Sequence, residues 1–250
     1  MIMRDSSPFL SRREFVTGCA ACAACALCPS LATSREQVAV APQAAAEKAR
    51  VRLVFTHISP EKPTWPYRGY DYEARKRELT GRLREACPFV ELLPATAQNK
   101  EDAQKILEAD QEVDGYLVYM VGIWTGAPQV IAASGRPTVF VDDLYAGSGE
   151  FLIAHAAARR KGLQVAGVSS SRFEDVVGAV RCFDAIKKLR SSVILDVTER
   201  DPGPNAAAIQ ELFGTAVRKV SAAEINEAYS RADLTGARNR AREWIKNAKK

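Results

Sequence analysis

The sequence predicts a doubly wound α/β protein, and three observations lead to that fold class. Short apolar segments alternate with longer helical segments through most of the chain. The apolar segments are rich in Val, Leu and Phe, which is typical of parallel strands covered by helices on both faces. After Arg190 the same alternation begins again. Right-handed crossovers would therefore build a three-layer sheet of the Rossmann or flavodoxin type, followed by the start of a second α/β domain.

The first α/β domain is predicted to span residues 51–170. Its strands are expected at 51–56, 89–93, 115–121, 138–141 and 163–168, with helices at 71–86, 99–110, 128–133 and 150–161. Pro88 follows the first of these helices and ends it, because proline lacks the N–H that would continue the helical hydrogen bonds. Each strand is thus followed by a helix that can return the chain to the same end of the sheet.

A connecting helix is predicted over 171–190, because apolar residues from Val176 to Ile186 recur at the helical period. The same spacing places Cys182 in a core. In an oxidising compartment a Cys87–Cys182 disulfide is conceivable, but two buried thiols are the favoured interpretation.

The remaining residues, 191–250, predict a partial second α/β domain. Its strands are expected at 193–197 and 216–220, and its helices at 205–213, 222–232 and 235–248. Gly214 is expected to close the first of these helices. Two strands with three helices are too few to form a sheet that is buried on both faces.

Residues 1–32 predict a twin-arginine signal peptide. Arg12 and Arg13 are followed one residue later by Phe15, and a mildly apolar run rich in Ala and Cys comes next. Residues 33–50 are expected to form a linker. The mature protein would then be periplasmic and would meet the membrane only transiently, during export.

Two alternatives exist for this N-terminal segment. Cysteines at 19, 22, 25 and 28 come close to a ferredoxin cluster run, which would make the chain an electron-transfer protein, but the last spacing is one residue short. Val16–Cys19 resembles a lipobox, although it follows the arginines so closely that almost no apolar region precedes it. The export signal remains the favoured interpretation.

The composition is that of an ordinary globular protein: 250 residues, 47% hydrophobic and 26% charged, with a net charge of +5. Much of the basic excess lies near the C-terminus, at Arg231, Arg238, Arg240, Arg242, Lys246, Lys249 and Lys250. We interpret these residues as the solvated face of a terminal helix. No nucleic-acid partner is expected, because no stacking aromatic residues are interleaved with them.

Ligands of open parallel sheets bind outside the carboxyl ends of the strands. The candidate substrate-binding residues at these ends are His57, Tyr67, Arg68 and Tyr70 after the first strand, Trp124 after the third, and Asp142 and Asp143 after the fourth. Aromatic faces beside charged groups suit a polyhydroxylated ligand. For each residue a structural role is the alternative, such as loop packing for the tyrosines or helix capping for Asp143.

Several chemistries find no support in the motifs. The turn after the first strand reads His57-Ile58-Ser59-Pro60 and lacks the glycines of a dinucleotide site. No phosphate-binding loop or nucleophile elbow occurs. His57 and His155 are the only histidines, so neither H-x-x-x-H nor H-E-x-x-H metal spacing exists. No catalytic and no metal-binding residue is therefore predicted.

Four stretches carry a resemblance to a known family: Tyr67–Asp71, Val113–Tyr116, Gly122–Pro128 and Val139–Asp143. They resemble the N-terminal region of L-fucose/L-arabinose isomerase-like proteins, and residues 192–233 are similar to the start of that family's second domain. The family interconverts aldoses and ketoses with a divalent metal, usually Mn²⁺. The resemblance implies that Trp124 contacts sugar.

The family's metal ligands come from regions later than this chain reaches. The resemblance therefore implies no cofactor bound by this chain, and Mn²⁺ only if a C-terminal barrel is supplied elsewhere. The implied partners are a small-molecule sugar and either further copies of the chain in a homo-oligomer or a separate C-terminal chain. We expect an exported, sugar isomerase-like protein without its own catalytic centre. The alternative is a periplasmic sugar-binding module without catalysis.

Overall fold

The structure is a computed structural model that describes residues 47–143 and 147–248. The strands are β1 (Ala49–Thr56), β2 (Val90–Ala97), β3 (Gly115–Met120), β4 (Thr138–Asp142), β5 (Val165–Val168), β6 (Val193–Val197) and β7 (Ala216–Val220). The helices are α1 (Tyr72–Ala86), α2 (Lys100–Ala109), α3 (Ala127–Ala132), α4 (Ser148–Arg160), α5 (Phe173–Ser191), α6 (Gly203–Phe213), α7 (Ala222–Ser230) and α8 (Leu234–Asn247). The predicted export signal and most of the predicted linker lie outside the described residues.

The first five strands form one parallel sheet in the order β2-β1-β3-β4-β5. Helices α1 and α5 cover one face, and α2, α3 and α4 cover the other. This is the strand order of flavodoxin-like folds. The prediction of a doubly wound, three-layer α/β fold is confirmed.

Alternation along the central strands builds two separate cores. Leu53 and Leu117 face α1 and α5, whereas their neighbours Val54 and Val118 face the opposite helices. All four side chains are fully buried. Because successive strand residues point to opposite faces, a strand buried on both faces needs a continuous apolar run, as observed in the sequence.

Helix α5 belongs to the cover of this sheet. The ring of Phe183 packs directly onto Gly115, where a Cβ atom would overlap it. Since Phe183 takes the inward position, the neighbouring Cys182 faces solvent, and the prediction that Cys182 is buried is wrong. Cys87 is buried as expected, and both thiols are free.

The last two strands form a separate parallel sheet, β6-β7. Both strands have the predicted bounds, and Gly214 ends α6 in the left-handed conformation with φ 70°. Val193, Ile194, Leu195 and Val197 of β6 are all exposed. No helix in the described ranges is long and apolar enough to span a membrane.

Several strand boundaries in the first sheet differ from expectation, and two of these differences lie where β1 pairs with β2. β1 begins at Ala49, inside the predicted linker. β2 continues past its predicted end at Leu93 and ends at Ala97. In both places β1 and β2 pair with each other, Ala49 with Val90 and Thr56 with Ala97. Pairing between strands therefore extends both elements beyond their apolar runs.

Candidate functional site

The candidate site lies where the strand order of the large sheet reverses. β1 pairs with β2 on one side and with β3 on the other, so the chain leaves the carboxyl ends of β1 and β3 in opposite directions. In open α/β sheets a crevice forms at such a divergence, and it is the usual ligand position. His57 follows β1, the segment Gly122–Gly126 follows β3, and Asp143 follows the adjacent β4.

Four aromatic side chains form a row at this edge, which we call the aromatic row: Tyr67, Tyr70, Tyr72 and His57. The ring of His57 stacks on Tyr72, with centroids 4.1 Å apart and planes 12° apart. Tyr70 meets Tyr72 edge-on at 5.1 Å, and Tyr67 meets Tyr70 edge-on at 5.4 Å. The row runs from Tyr67, which is 60% exposed, to His57, which is 2% exposed. It therefore runs from solvent to a buried position at the end of β1.

Tyr72 anchors the row to the loop after β1. Its hydroxyl donates to the backbone carbonyl of Trp65 at 2.9 Å and lies 3.0 Å from Oγ1 of Thr64. Tyr72 is also the first residue of α1, whose start is fixed because the carboxylate of Asp71 accepts from the N–H of Ala74. The aromatic row is thus attached to both the loop and the helix.

His57 carries an unpaired nitrogen in a buried position. Its Nδ1 lies 2.9 Å from the carbonyl oxygen of Ile58. A carbonyl only accepts, so Nδ1 carries the proton and Nε2 carries the lone pair. Nε2 has no hydrogen-bond partner among the described residues. Burial lowers the pKa of His57, because it disfavours the charged imidazolium.

Gly122 permits the close approach of β1 and the loop after β3. Its N–H donates to the carbonyl of Thr56 at 2.9 Å. A Cβ atom at position 122 would lie 2.7 Å from Cβ of His57 and 3.2 Å from the hydroxyl of Tyr72. Any larger residue would displace the imidazole, so this glycine sets the position of His57.

Asp143 ties the end of β4 to helix α1. Nε and Nη2 of Arg75 donate to its two carboxylate oxygens at 2.9 Å and 2.6 Å, a bidentate pair. Hydrogen bonding to Asp143 raises the pKa of Arg75 above its ordinary value. Burial raises the pKa of the neighbouring Tyr70, and the charge of Asp143 acts in the same direction, while that of Arg75 opposes it. Asp143 therefore holds the tyrosine-bearing segment against the sheet, and among the described residues its carboxylate makes no helix-capping hydrogen bond.

Asp142 points into a different environment. Its Oδ1 accepts from the hydroxyl of Ser148 at 3.0 Å, and its Oδ2 accepts from that of Ser169 at 2.9 Å. Asp142 is 5% exposed and links the start of α4 to the segment after β5. Both carboxylate oxygens accept a hydrogen bond, so Asp142 connects these two elements.

The loop after β3 is held by a single buried carboxylate. Glu150 of α4 accepts from the N–H of Gly126 at 2.7 Å, from the N–H of Thr125 at 3.2 Å and from its hydroxyl at 3.0 Å. Glu150 is 6% exposed. Hydrogen bonds to a charged acceptor are the stronger kind, so this loop is firmly fixed.

Trp124 projects from this fixed loop into solvent. Its φ of 65° lies in the left-handed region, which is rare for a bulky residue. Its side chain is 74% exposed. A large apolar side chain held in solvent by a backbone conformation of low intrinsic stability is a frequent feature of ligand sites.

The structure brings together some of the predicted residues and leaves others apart. His57, Tyr67 and Tyr70 share the aromatic row, and Asp143 joins them through Arg75. Asp142 instead accepts hydrogen bonds from Ser148 and Ser169. Within the described residues, no hydrogen bond or ring contact links Trp124 or Arg68 to the row, and Arg68 is exposed.

Three important residues were missed by sequence reasoning: Tyr72, Arg75 and Glu150. An acidic residue in the first turn of a helix, such as Glu150, is a general feature of helix starts and gives no hint of a distant loop. Arg75 is one of many charges on α1. Tyr72 directly follows the predicted Tyr67–Asp71 stretch, and its aromatic ring beside two other tyrosines was the available signal.

The described carboxylates at this edge do not suit Mn²⁺. The oxygens of Asp142 accept from serines, those of Asp143 accept from Arg75, and the two side chains point to opposite faces of the sheet. In the described ranges, no group of three His, Cys, Asp or Glu side chains is placed to hold a metal ion. We therefore derive no chemical step through a metal at this site.

Comparison with known proteins gives no family for this chain. No family model matches it, and no curated protein is significantly similar to it.

Proposed function

We propose that this chain binds a small polyhydroxylated ligand, a sugar, in the crevice at the carboxyl ends of β1, β3 and β4. The observation that carries this proposal is the position of Trp124. Its indole is exposed and held beside the crevice by a loop that the buried carboxylate of Glu150 fixes.

A fixed, exposed indole is well suited to a sugar ring. The C–H face of a pyranose or furanose packs on the aromatic face, and this contact requires no charge on the ligand. Because the loop is already held in place, little conformational entropy is lost when a ligand binds. Arg68 and the outer tyrosines of the aromatic row offer donors and acceptors for sugar hydroxyls.

We also propose that the chain takes part in aldose–ketose isomerisation. This part of the proposal rests on the resemblance of the four quoted stretches to the isomerase family. In that role this chain contributes the sugar-facing loop, and Mn²⁺ takes part only if a C-terminal barrel is supplied elsewhere. Export through the twin-arginine route would place the protein in the periplasm. The alternative, a periplasmic binding module without catalysis, uses the same crevice.

The direct test is calorimetric titration with a panel of aldoses and ketoses that includes L-fucose and L-arabinose. We expect one or more sugars to bind with Kd of about 1 mM or tighter. Trp124→Ala should weaken this binding by about tenfold or more, which corresponds to about 1.4 kcal/mol. The matched control is Tyr229→Ala, since Tyr229 is an equally exposed aromatic residue on α7, and it should leave the affinity unchanged.

Sugar binding that survives Trp124→Ala unchanged would remove Trp124 from the site. Absence of binding across the whole panel would refute the sugar proposal. Aldose–ketose turnover by this chain alone with added Mn²⁺ would show that it needs no separate chain for catalysis.

A further inference from the structure

Helix α8 (Leu234–Asn247) presents an apolar stripe that no other part of the described chain covers. Its apolar residues are Leu234, Ala237, Ala241, Trp244 and Ile245. At 3.6 residues per turn these positions fall within an arc of about 100°, the width of the buried face of an ordinary surface helix. Yet Trp244 is 72% exposed and Ile245 is 76% exposed. All residues of α8 except Gly236 are exposed.

A ridge of cations runs along one flank of this stripe. Arg238, Arg242 and Lys246 follow each other at intervals of four residues and therefore lie one above the other. Among the described side chains, no carboxylate forms an ion pair with any of the three, whereas Arg240 on the opposite flank pairs with Glu243 at 3.0 Å. Like charges at this spacing repel each other and weaken an isolated helix. An external anion bound to the ridge would reduce this repulsion.

We propose that α8 binds to an anionic phospholipid surface and lies in its plane. An exposed apolar stripe with a large aromatic residue, bordered by unpaired cations, is the arrangement of helices that lie at a membrane interface. Trp244 and Ile245 enter the boundary between headgroups and acyl chains, where tryptophan is favoured. Arg238, Arg242 and Lys246 meet the lipid phosphates at the level of the headgroups.

Charge complementarity favours this occupant over a second copy of the chain. A second α8 offers no free carboxylate to the cationic ridge, because its single acidic residue, Glu243, is paired with Arg240. A nucleic acid would neutralise the ridge but would leave Leu234 and Ile245 in water. An anionic bilayer would pair with the cations and bury the apolar stripe at the same time.

The exposure of the stripe changes the interpretation of the basic C-terminal segment. From the sequence, these charges indicated a solvated helix face, and contact with the membrane was expected only during export. A solvated face requires that the opposite face of the helix be buried in the protein, and α8 buries none of its residues. This inference is independent of the sugar proposal, because it involves another region of the chain.

The experiment is co-sedimentation of the full chain with vesicles of phosphatidylglycerol and, separately, of phosphatidylcholine. We expect binding to the anionic vesicles, little binding to the neutral ones, and loss of binding as the salt rises from about 0.1 M to about 1 M, which shortens the Debye length from about 10 Å to about 3 Å. Arg238→Glu/Arg242→Glu should weaken binding by at least about 25-fold, since each basic residue near an anionic surface contributes roughly fivefold.

The matched control is Arg159→Glu/Arg160→Glu, which changes the net charge equally at the exposed end of α4. This control should retain most of the binding. Both double variants have the wild-type N-terminal segment, so any lipid binding by that segment is the same in the two. Equal loss of binding in both double variants would show that only net charge matters and would overturn the proposal. Equal binding to neutral vesicles would overturn it as well.

A second readout reports the apolar stripe directly. The variant Trp65→Phe/Trp124→Phe leaves Trp244 as the only tryptophan of the chain. Its emission should shift to the blue on anionic vesicles, and Trp244→Ala, which alters no charge, should weaken binding by about tenfold or more. An unchanged emission, dimerisation that Trp244→Ala abolishes, or tighter binding to RNA or to an acidic protein than to the vesicles would each refute the lipid assignment.

Discussion

The two sheets of this protein are built from similar strands but differ in burial. β3 and β6 are both short, largely apolar runs, both lie in parallel sheets, and both are followed by helices. Every residue of β3 is buried, whereas Val193, Ile194, Leu195 and Val197 of β6 are exposed. An apolar strand with a helical crossover is therefore insufficient to make a core.

The number of covered faces explains the difference. β3 pairs with a strand on each side and has helices on both faces. Within the described ranges β6 pairs with β7 alone, and helices α6, α7 and α8 contribute no buried residue. Two strands give too little area for these helices to cover, so the sheet does not bury their apolar residues.

The first prediction compares equivalent leucines in the two sheets and carries the largest effect. Leu117→Ala in β3 should lower the free energy of unfolding by about 3 kcal/mol, because it leaves a cavity in a closed core. Leu195→Ala in β6 should cost less than about 1 kcal/mol, because Leu195 is 56% exposed. Urea unfolding measures both. Equal costs would show that the β6-β7 sheet is covered in solution.

The second prediction concerns the polar anchor of the large sheet. Glu150→Ala should lower the free energy of unfolding by about 2 kcal/mol, because the N–H groups of Thr125 and Gly126 lose their acceptor in a buried position. The control, Glu227→Ala on exposed α7, should change it by less than about 0.5 kcal/mol. The same measurement applies, and a neutral Glu150→Ala would show that the Trp124 loop does not depend on this carboxylate.

The third prediction uses pH and has the smallest effect. Because burial lowers the pKa of His57, the unfolded chain takes up a proton as the pH falls through the ordinary value of 6.5 while the folded chain does not. Below that pH the free energy of unfolding should therefore decrease, by at most about 1.4 kcal/mol per pH unit for this one group. The decrease ends below the folded pKa, where both states are protonated.

His57→Gln should remove this component of the pH dependence. The measurement is the urea midpoint of the wild type and the variant between about pH 8 and pH 5, where histidine is the side chain whose ordinary pKa lies in range. Parallel profiles for the two proteins would contradict a neutral, buried His57.

Much of the fold could be predicted from local patterns. The bounds of β6 and β7 match the prediction because apolar runs bordered by polar residues define short strands well. The starts of α1 and α2 follow from Asp71 and Asn99, whose side chains accept from backbone N–H groups within their own first turns. These features involve residues close in sequence.

The site was predictable only in part, for a physical reason. Parallel topology brings the residues that follow β1, β3 and β4 to one edge of the sheet, so the shared location of His57, Tyr70 and Asp143 could be predicted. The residues that bind them could not be predicted. Arg75 lies 68 positions from Asp143, and Glu150 lies 25 positions from Thr125, separations over which a single sequence carries no pairing signal.

The sequence by itself determined the fold class and the order of the elements, and it predicted the edge of the sheet where a ligand would bind. Those properties follow from hydrophobic period and chain direction, which are local. Only the tertiary structure decided which apolar segments are buried, which carboxylates are paired and that α8 has an uncovered apolar stripe. Burial and pairing depend on what lies opposite each side chain, and the packing of distant elements alone sets that.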